Sequence, residues 1–220
     1  MLAGEAVVAI WNGITPEGRD EFYAWHLHEH MPERAGIPGF RRGRRYIATS
    51  ERTTPEFFTL YEAETLQVLQ GSDYHNRLNA PSTWTRAATR HFRDTARALA
   101  RIIVSAGPGS GGIMLTLRFV GSPETLDAVA VLVRSAATMP RVTGAHLCAG
   151  DAVASSTPTS ESAGRSDILA PPDTFALIEA TDEQALLGLL SEKEMEQVGA
   201  QQVVRGIYRL EYSRRKTAWA

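Results

Sequence analysis

Three of the six histidines of the chain stand close together in the stretch WHLHEHMPERAGIPGF, residues 25–40. Histidine is the side chain whose ordinary pKa lies nearest to neutral pH, so a pair of histidines can transfer protons or bind a metal. If the stretch is helical, His26 and His30 are four residues apart and lie almost in line with Phe22. His28 is rotated from His26 by roughly 200° and faces solvent. The pattern therefore reduces to one ionisable pair.

A metal site is one interpretation of this pair. Residues His26 to His30 fit the H-x-x-E-H pattern of some zinc proteases, in which two histidines bind zinc and a glutamate, here Glu29, acts as base. A zinc site needs a further protein ligand from elsewhere in the chain. No second acidic helical motif supplies that ligand, and so short a pattern often arises by chance. We therefore predict no metal site and keep zinc as an alternative.

A dense positive patch follows the histidines, at residues 41–45. Along a strand, alternate side chains point to opposite faces, so Arg42 and Arg44 share one face and Arg41 and Arg45 share the other. Guanidinium groups bind carboxylates and enolates well. We expect Arg42 and Arg44 to point toward a ligand pocket. The alternative is a solvated edge strand that is protected by its charge.

Aromatic residues are concentrated in the first half of the chain. Together with a few ionisable groups, they are suited to binding a flat apolar ligand, although core packing is the commoner role of any one ring. The residues that we expect to contact a ligand are Trp11, Phe22, Tyr23, Phe58 and Trp84.

Composition excludes several classes of protein. The chain has 220 residues and a net charge of −2, and no apolar run is long enough for a membrane helix. The slightly acidic balance and the absence of aromatic residues among the arginines argue against nucleic-acid binding. Cys148 is the single cysteine, which excludes an internal disulfide and fits a reducing cytoplasm. We expect Cys148 to be a buried structural thiol.

The two halves of the chain repeat one pattern. A helix start of the form Ser/Thr-Pro-Glu occurs at Thr15 and again at Ser122. Two predicted strands, PEFFTLYEAET and PDTFALIEATD, share five residues in register, which indicates an internal duplication. The shared pairs are Pro55/Pro172, Phe58/Phe175, Leu60/Leu177, Glu62/Glu179 and Ala63/Ala180.

Each half is predicted to run β-α-β-β-α-β, the ferredoxin-like unit. One face of such an antiparallel sheet is bare, and packing the two sheets together would cover it. The predicted fold is α+β, with two tandem ferredoxin-like halves forming a dimeric α/β barrel within one chain. The halves are residues 1–106 and 112–220, joined by a glycine-rich link. Residues 151–171, rich in Ser, Thr, Ala and Pro, are a long insertion that is either disordered or a lid, and we expect disorder.

The first helices of the two halves differ in chemistry. In register, FYAWHLHEH in the first half stands opposite VAVLVRSAA in the second. Packing against the sheet therefore does not require histidine or tryptophan, which favours a functional site in the first half. We expect one cavity per chain. The equivalent space in the second half should be packed shut by Val129, Leu132, Val133 and Ala136.

The segment EFYAWHLHEHMPERAGIPGFRRGRRYIA, residues 21–48, resembles the start of the EthD-like group of the dimeric α/β-barrel superfamily. The matching features are an aromatic residue, a tryptophan and a histidine on the first helix, then Pro-Gly and a strand with Arg-Tyr. They fall on Phe22, Trp25 or His26, His30, Pro32, residues 37–39 and Arg45-Tyr46. The resemblance implies a fold better than a reaction, because its relatives include cofactor-free cyclases, monooxygenases, isomerases and haem enzymes. The second, degenerate half departs from the short EthD-like pattern.

These features favour a cofactor-independent enzyme that moves a proton next to a carbonyl of an aromatic or polyketide-like small molecule. His26 is the expected base and His30 its partner, with Arg42 or Arg44 stabilising negative charge. One alternative is a non-catalytic module that binds a small ligand, and another is a histidine-based zinc or haem site. We also consider a homodimer formed through an outer surface.

Overall fold

The computed structural model describes residues 1–216, and the last four residues of the predicted second half lie outside the described residues. Eight antiparallel strands close into a barrel in the order β1-β3-β2-β8-β5-β7-β6-β4. The strands are β1 Ala6–Ile14, β2 Phe40–Ala48, β3 Phe57–Ala63, β4 Phe92–Ala106, β5 Ile113–Val120, β6 Val142–Gly150, β7 Thr174–Ala180 and β8 Gln201–Arg215.

Helical segments cover the outside of the barrel. Within residues 1–216 no helix is long and apolar enough to cross a membrane. The segments are α1 Arg19–Trp25, a π-helical turn His26–His30, α2 Met31–Gly36, α3 Leu66–Gln70, α4 Ser72–Asn79, α5 Thr83–Thr89, α6 Pro123–Ala136, α7 Ala152–Ser156 and α8 Glu192–Gln197, with 3-10 turns at Pro16–Gly18 and Glu183–Ala185.

The two halves have the same strand order. It is β4-β1-β3-β2 in the first and β8-β5-β7-β6 in the second. Pairing of β2 with β8 and of β4 with β6 closes the barrel. The predicted fold class is confirmed: two ferredoxin-like halves form one α/β barrel within a single chain.

The repeated helix-start signal has different outcomes in the two halves. The Ser122 hydroxyl accepts a hydrogen bond from the Thr125 N–H and caps α6. The Thr15 side chain makes no cap and instead lies 3.1 Å from His91 Nδ1. Thr15 therefore stands at the predicted N-cap position before the proline, but its hydroxyl contacts a tertiary partner in place of the helix N–H groups.

Apolar side chains from both halves fill most of the barrel interior. They include Trp11, Tyr46, Phe58, Met114, Cys148, Phe175 and Tyr208. Burial raises the pKa of the Cys148 thiol, which is consistent with a structural role for this residue.

One end of the interior holds a network of buried charges. Arg44 Nε lies 3.0 Å from Glu62, and Arg44 Nη1 lies 2.7 Å from Glu179. Arg42 Nε also contacts Glu62, at 2.9 Å, and His146 Nε2 lies 3.4 Å from Glu179. Burial acts to raise the pKa of Glu179, but the neighbouring His146 and Arg44 outweigh it and lower that pKa to about 2. The two glutamates are the pair shared by the repeated strands, so this network joins equivalent points of the two halves.

The outer layer of the second half is packed with aliphatic side chains. Val129, Val133 and Ala136 of α6 belong to one apolar cluster with strand residues, and Leu132 packs against it. The buried face of this helix therefore packs against the sheet without an ionisable residue.

The insertion at residues 151–171 is ordered against the first half, so the expectation of disorder is wrong. Thr95 N–H bonds the carbonyl of Asp167 at 2.8 Å, and Leu169 N–H bonds the carbonyl of Thr95 at 2.8 Å. β4 begins at Phe92 and pairs with β6 only from Ala100 onward. The first part of β4 therefore has a free edge whose backbone groups need partners, and the insertion supplies them.

Replacing Arg44 with methionine should lower the free energy of unfolding by about 3 to 5 kcal/mol, because it removes the charge that faces both buried glutamates. The measurement is urea unfolding at neutral pH. The matched control is Arg41→Met on the same strand, since Arg41 pairs with Glu64 at an exposed position. That change should cost about 0 to 1 kcal/mol. Equal effects of the two changes would contradict a stabilising role for the interior network.

Candidate functional site

The histidine stretch forms a π-helical turn between α1 and α2. Met31 N–H bonds the carbonyl of His26, five residues earlier, so the turn holds one residue more than an α-turn. Trp25 and His30 are also five apart, and their ring centroids lie 4.2 Å from each other. At 100° per residue a regular α-helix would separate these two positions by roughly 140°, and the wider turn brings their rings together. π-turns are frequent at functional sites.

Pro32 gives a physical reason for the widening. Proline has no backbone N–H, and its ring crowds the carbonyl four residues earlier in a regular α-helix. Prolines and inserted π-turns are both recognised sites at which a helix departs from regular α-helical geometry. The wide turn ends at His30, directly before the segment Met31–Gly36 that contains the proline.

A cavity of about 60 Å³ lies between this helix and the outer face of the first-half sheet. Two larger cavities, of about 320 Å³ and about 810 Å³, share Glu161 and Arg165 with it. Besides the two histidines and these two residues, the small cavity is lined by Ile10, Asn12, Phe22, Trp25, Thr59, Thr89, Phe92, Thr95 and Arg97.

His26 is buried and its tautomer is fixed by a neighbour. Arg45 Nη1 lies 3.4 Å from His26 Nδ1. A guanidinium can only donate hydrogen bonds, so Nδ1 must accept and neutral His26 carries its proton on Nε2. Burial, followed by the charges of Arg45 and Arg34, holds the pKa of His26 well below its usual range. At neutral pH this ring is uncharged and offers an N–H at Nε2.

His30 is equally buried but has unused hydrogen-bonding capacity. Neither of its ring nitrogens forms a hydrogen bond within residues 1–216, and its Nδ1 is wholly buried. Its ring centroid lies 5.5 Å from that of His26. Burial, followed by the charge of Arg34, lowers the pKa of His30 well below the usual value. A buried polar atom without a partner is costly and calls for an explanation, such as a ligand.

The arginine near the histidines is Arg45, and the expectation for Arg42 and Arg44 is wrong. Arg42 and Arg44 point into the barrel and bind Glu62, on the other face of the sheet from the cavity. Arg45 bonds Glu211 at 3.1 Å as well as approaching His26. Alternation separated the two pairs correctly, but it does not tell which face carries the site.

The predicted aromatic residues divide among three places. Phe22 lines the cavity. Trp11 and Phe58 lie in the barrel interior, on the opposite face of the sheet from the cavity. The structure therefore corrects the expectation that these two rings contact a ligand in the cavity. Tyr23 lies outside the cavity, 4.7 Å from the Arg45 guanidinium, and bonds Glu211 at 3.2 Å.

Trp84 is also outside the cavity, because its Nε1 donates to Glu21 at 2.6 Å on the partly exposed side of α5. The rings that the sequence interpretation missed are Trp25 and Phe92. Trp25 was visible in the histidine stretch, but regular α-helical geometry does not align it with His30.

The insertion of the second half supplies two residues of the cavity wall. Glu161 forms a buried ion pair with Arg34 of α2. Arg165 pairs with Asp167 at 2.6 Å and lies 5.1 Å from the centroid of the Phe92 ring. No local pattern marked these residues, since a surface-type composition does not reveal which surface the segment covers.

The residues present do not fit a zinc site. Glu29 accepts hydrogen bonds from Ser82 and Thr85. Within residues 1–216 no group of three His, Cys, Asp or Glu side chains is placed to hold a metal ion. The positive charge of Arg45 beside His26 also disfavours a cation. The 60 Å³ cavity that both histidines line is by itself too small for a haem.

Solved structures of low sequence identity share this fold over nearly whole chains. An anthrone oxidase-like protein matches with a TM-score of 0.61 and 12% identity, covering 98% of this chain and 95% of its own. A candidate monooxygenase from Lactobacillus acidophilus NCFM matches with a TM-score of 0.55 and 9% identity, covering 97% and 98%. No protein-family model matches the sequence, and no curated protein does. These likenesses show the fold alone, which is that of dimeric α/β-barrel proteins.

The buried histidines should make the protein acid-sensitive. In the unfolded chain a histidine titrates near pH 6.5, whereas the folded protein keeps His26 and His30 neutral. Their pKa values are lowered by folding, so stability is full above about pH 6.5 and is lost as pH falls toward the folded-state values. The loss should reach about 1.4 kcal/mol per pH unit for each histidine.

Chemical unfolding at a series of pH values between 7.5 and 5 measures this loss. His30→Gln should reduce the slope by about one histidine's share. The control is His28→Gln, because His28 is exposed on the same turn. Parallel curves for the wild type and His30→Gln would show that His30 is not held neutral by burial.

Proposed function

We propose that the protein is an enzyme that removes a proton from a carbon next to, or conjugated with, a carbonyl of an aromatic or polyketide-like small molecule. The first half, residues 1–106, carries the chemistry, and the second half, residues 112–220, supports it. The observation that carries this proposal is a buried pair of neutral histidines in an aromatic-walled cavity, one of which has unused ring nitrogens. Such a pair performs general acid–base catalysis without a resident cofactor.

The tautomer of His26 suggests the roles of the two rings. His26 carries its proton on Nε2 and acts as a hydrogen-bond donor toward a developing negative oxygen. His30 has the lone pair that is not engaged, so it accepts the proton from carbon. This assignment exchanges the base and partner roles expected from the sequence. The reason is Arg45, which occupies the His26 nitrogen that would otherwise accept a proton.

Burial keeps both histidines unprotonated at neutral pH, but it also makes them weak bases. A lowered pKa keeps His30 unprotonated at neutral pH, although it reduces the driving force for proton transfer. Proton transfer creates an imidazolium and an enolate side by side. In an enclosed cavity these opposite charges stabilise each other more strongly than in water. The site therefore suits a substrate whose product anion remains beside the ring.

The small cavity holds only the reacting end of such a molecule. Ligand pockets usually measure about 300–1,000 Å³. The adjoining cavity of about 320 Å³ shares Thr95, Arg97, Glu161 and Arg165 with it and offers room for the remainder. The likeness in fold to an anthrone oxidase-like protein adds support for a planar substrate of this kind.

A binding module is the second candidate function, because the same two adjoining cavities would also hold a ligand without turning it over. We further propose that the chain belongs to the EthD-like group, which the sequence resemblance supports, and that it is cytoplasmic, which the single cysteine supports. A homodimer formed through an outer surface also stays a proposal.

The test uses anthrone, whose methylene protons are acidified by the ketone across the ring. With oxygen excluded, the protein in D₂O should accelerate hydrogen–deuterium exchange at that methylene. The exchange is measured by proton NMR. His30→Gln should lower the rate of exchange by roughly 100-fold or more, since general bases contribute about 10²–10⁴. The affinity for anthrone should change little.

His28→Gln is the matched control and should leave exchange unchanged, because His28 faces solvent. Anthrone that binds without accelerated exchange would favour the binding module. Exchange that persists in His30→Gln and disappears in His26→Gln would return the role of base to His26.

A further inference from the structure

We propose that Arg97 binds a carboxylate of the ligand, so that the natural substrate is a small aromatic or unsaturated carboxylic acid. This inference rests on the proposed function where it calls the ligand a substrate. The anion site itself is argued from the surroundings of Arg97 alone.

Arg97 lies on β4 opposite Ile10 of β1, on the outer face of the sheet and under the insertion. Its side chain is half-buried and lines both the 60 Å³ cavity and the 320 Å³ cavity. The hydrogen bond it makes runs from Nη2 to the carbonyl of Ser155 at 3.3 Å. A guanidinium has five N–H donors, so most of its capacity is unused.

The charges that line the small cavity leave Arg97 unbalanced. Arg165 pairs with Asp167, and Glu161 pairs with the buried Arg34. Among residues 1–216, Arg97 forms no ion pair. A partly buried cation without a counter-charge is unfavourable, and an anionic ligand would supply the missing charge.

The position of Arg97 also sets the shape of the ligand. Trp25, Phe22 and Phe92 wall the small cavity, so its occupant is planar and apolar. Arg97 stands where the two cavities share residues, so the carboxylate lies at the boundary between them. A planar guanidinium binds a carboxylate through two parallel hydrogen bonds, which fixes the orientation of the ring behind it. His30, with its unused nitrogens, lies on the same cavity wall.

Isothermal titration calorimetry with 2-naphthoate and with 2-naphthamide tests the proposal. The two probes have the same ring and differ in charge. The wild-type protein should bind naphthoate at least tenfold more tightly than naphthamide. Arg97→Gln should abolish this preference by weakening naphthoate binding and leaving naphthamide binding unchanged.

The matched control is Arg101→Gln, four residues further along the same face of β4, where the side chain is exposed. This variant should keep the wild-type preference. Equal affinities of the two probes in the wild type would overturn the proposal without the need for any variant. A loss of affinity for both probes in Arg97→Gln, with circular dichroism unchanged, would also overturn the proposal. Such a result would mean that Arg97 maintains the shape of the cavity and does not select for a negative charge.

The outcome is separable from that of the proposed function. Anthrone has no carboxylate, so its exchange in the wild-type protein tests the proposed enzyme without depending on an anion site. A preference for naphthoate without anthrone exchange would support the anion site and contradict the enzyme. Anthrone exchange without a preference for naphthoate would support the enzyme and contradict the anion site.

Discussion

Arg44 is bonded to a glutamate of each half and balances the negative charge buried at one end of the barrel. Glu62 and Glu179 are fully buried and occupy equivalent positions of the two halves. Two carboxylates in one interior repel each other unless cations lie between them. Arg44 lies within hydrogen-bonding distance of both, and Arg42 and His146 each add a contact to one of them. The end of the barrel is thereby filled by protein charges that satisfy each other.

A filled interior moves any ligand site to the outer faces of the sheet. The two outer faces are topologically alike, yet they are covered differently. In the second half α6 packs as an aliphatic helix. In the first half a π-helical turn carries His26 and His30 over polar strand residues, and a small cavity remains. The asymmetry arises in the helices, since the strands of both halves keep the same order.

The second half contributes to the first-half site through its insertion as well as through the barrel. The insertion pairs with the free edge at the start of β4 and places Glu161 and Arg165 in the cavity wall. Burial under this cover keeps both histidines neutral, and Arg45 fixes the tautomer of one. What remains for a ligand is the lone pair of His30 and the charge of Arg97.

The sequence by itself determined the repeated β-α-β-β-α-β order, the barrel and the histidine pair. Period-2 strands, helix starts and shared strand residues are local signals, and the repeated elements could pack in few ways. The comparison of the two first helices also showed which half would keep ionisable groups, because one copy served as a reference for what packing requires.

The tertiary structure alone decided which strand face met the histidines, how wide their helical turn is and where the insertion packs. Alternation defines two faces of β2 but is symmetric between them, so Arg42 and Arg44 were assigned to the face of the sheet on which Arg45 meets His26. The insertion is held by backbone groups of Thr95 whose lack of partners appears only when β4 and β6 are paired in register. Such partners are set by contacts between residues far apart in sequence, and no local pattern records them.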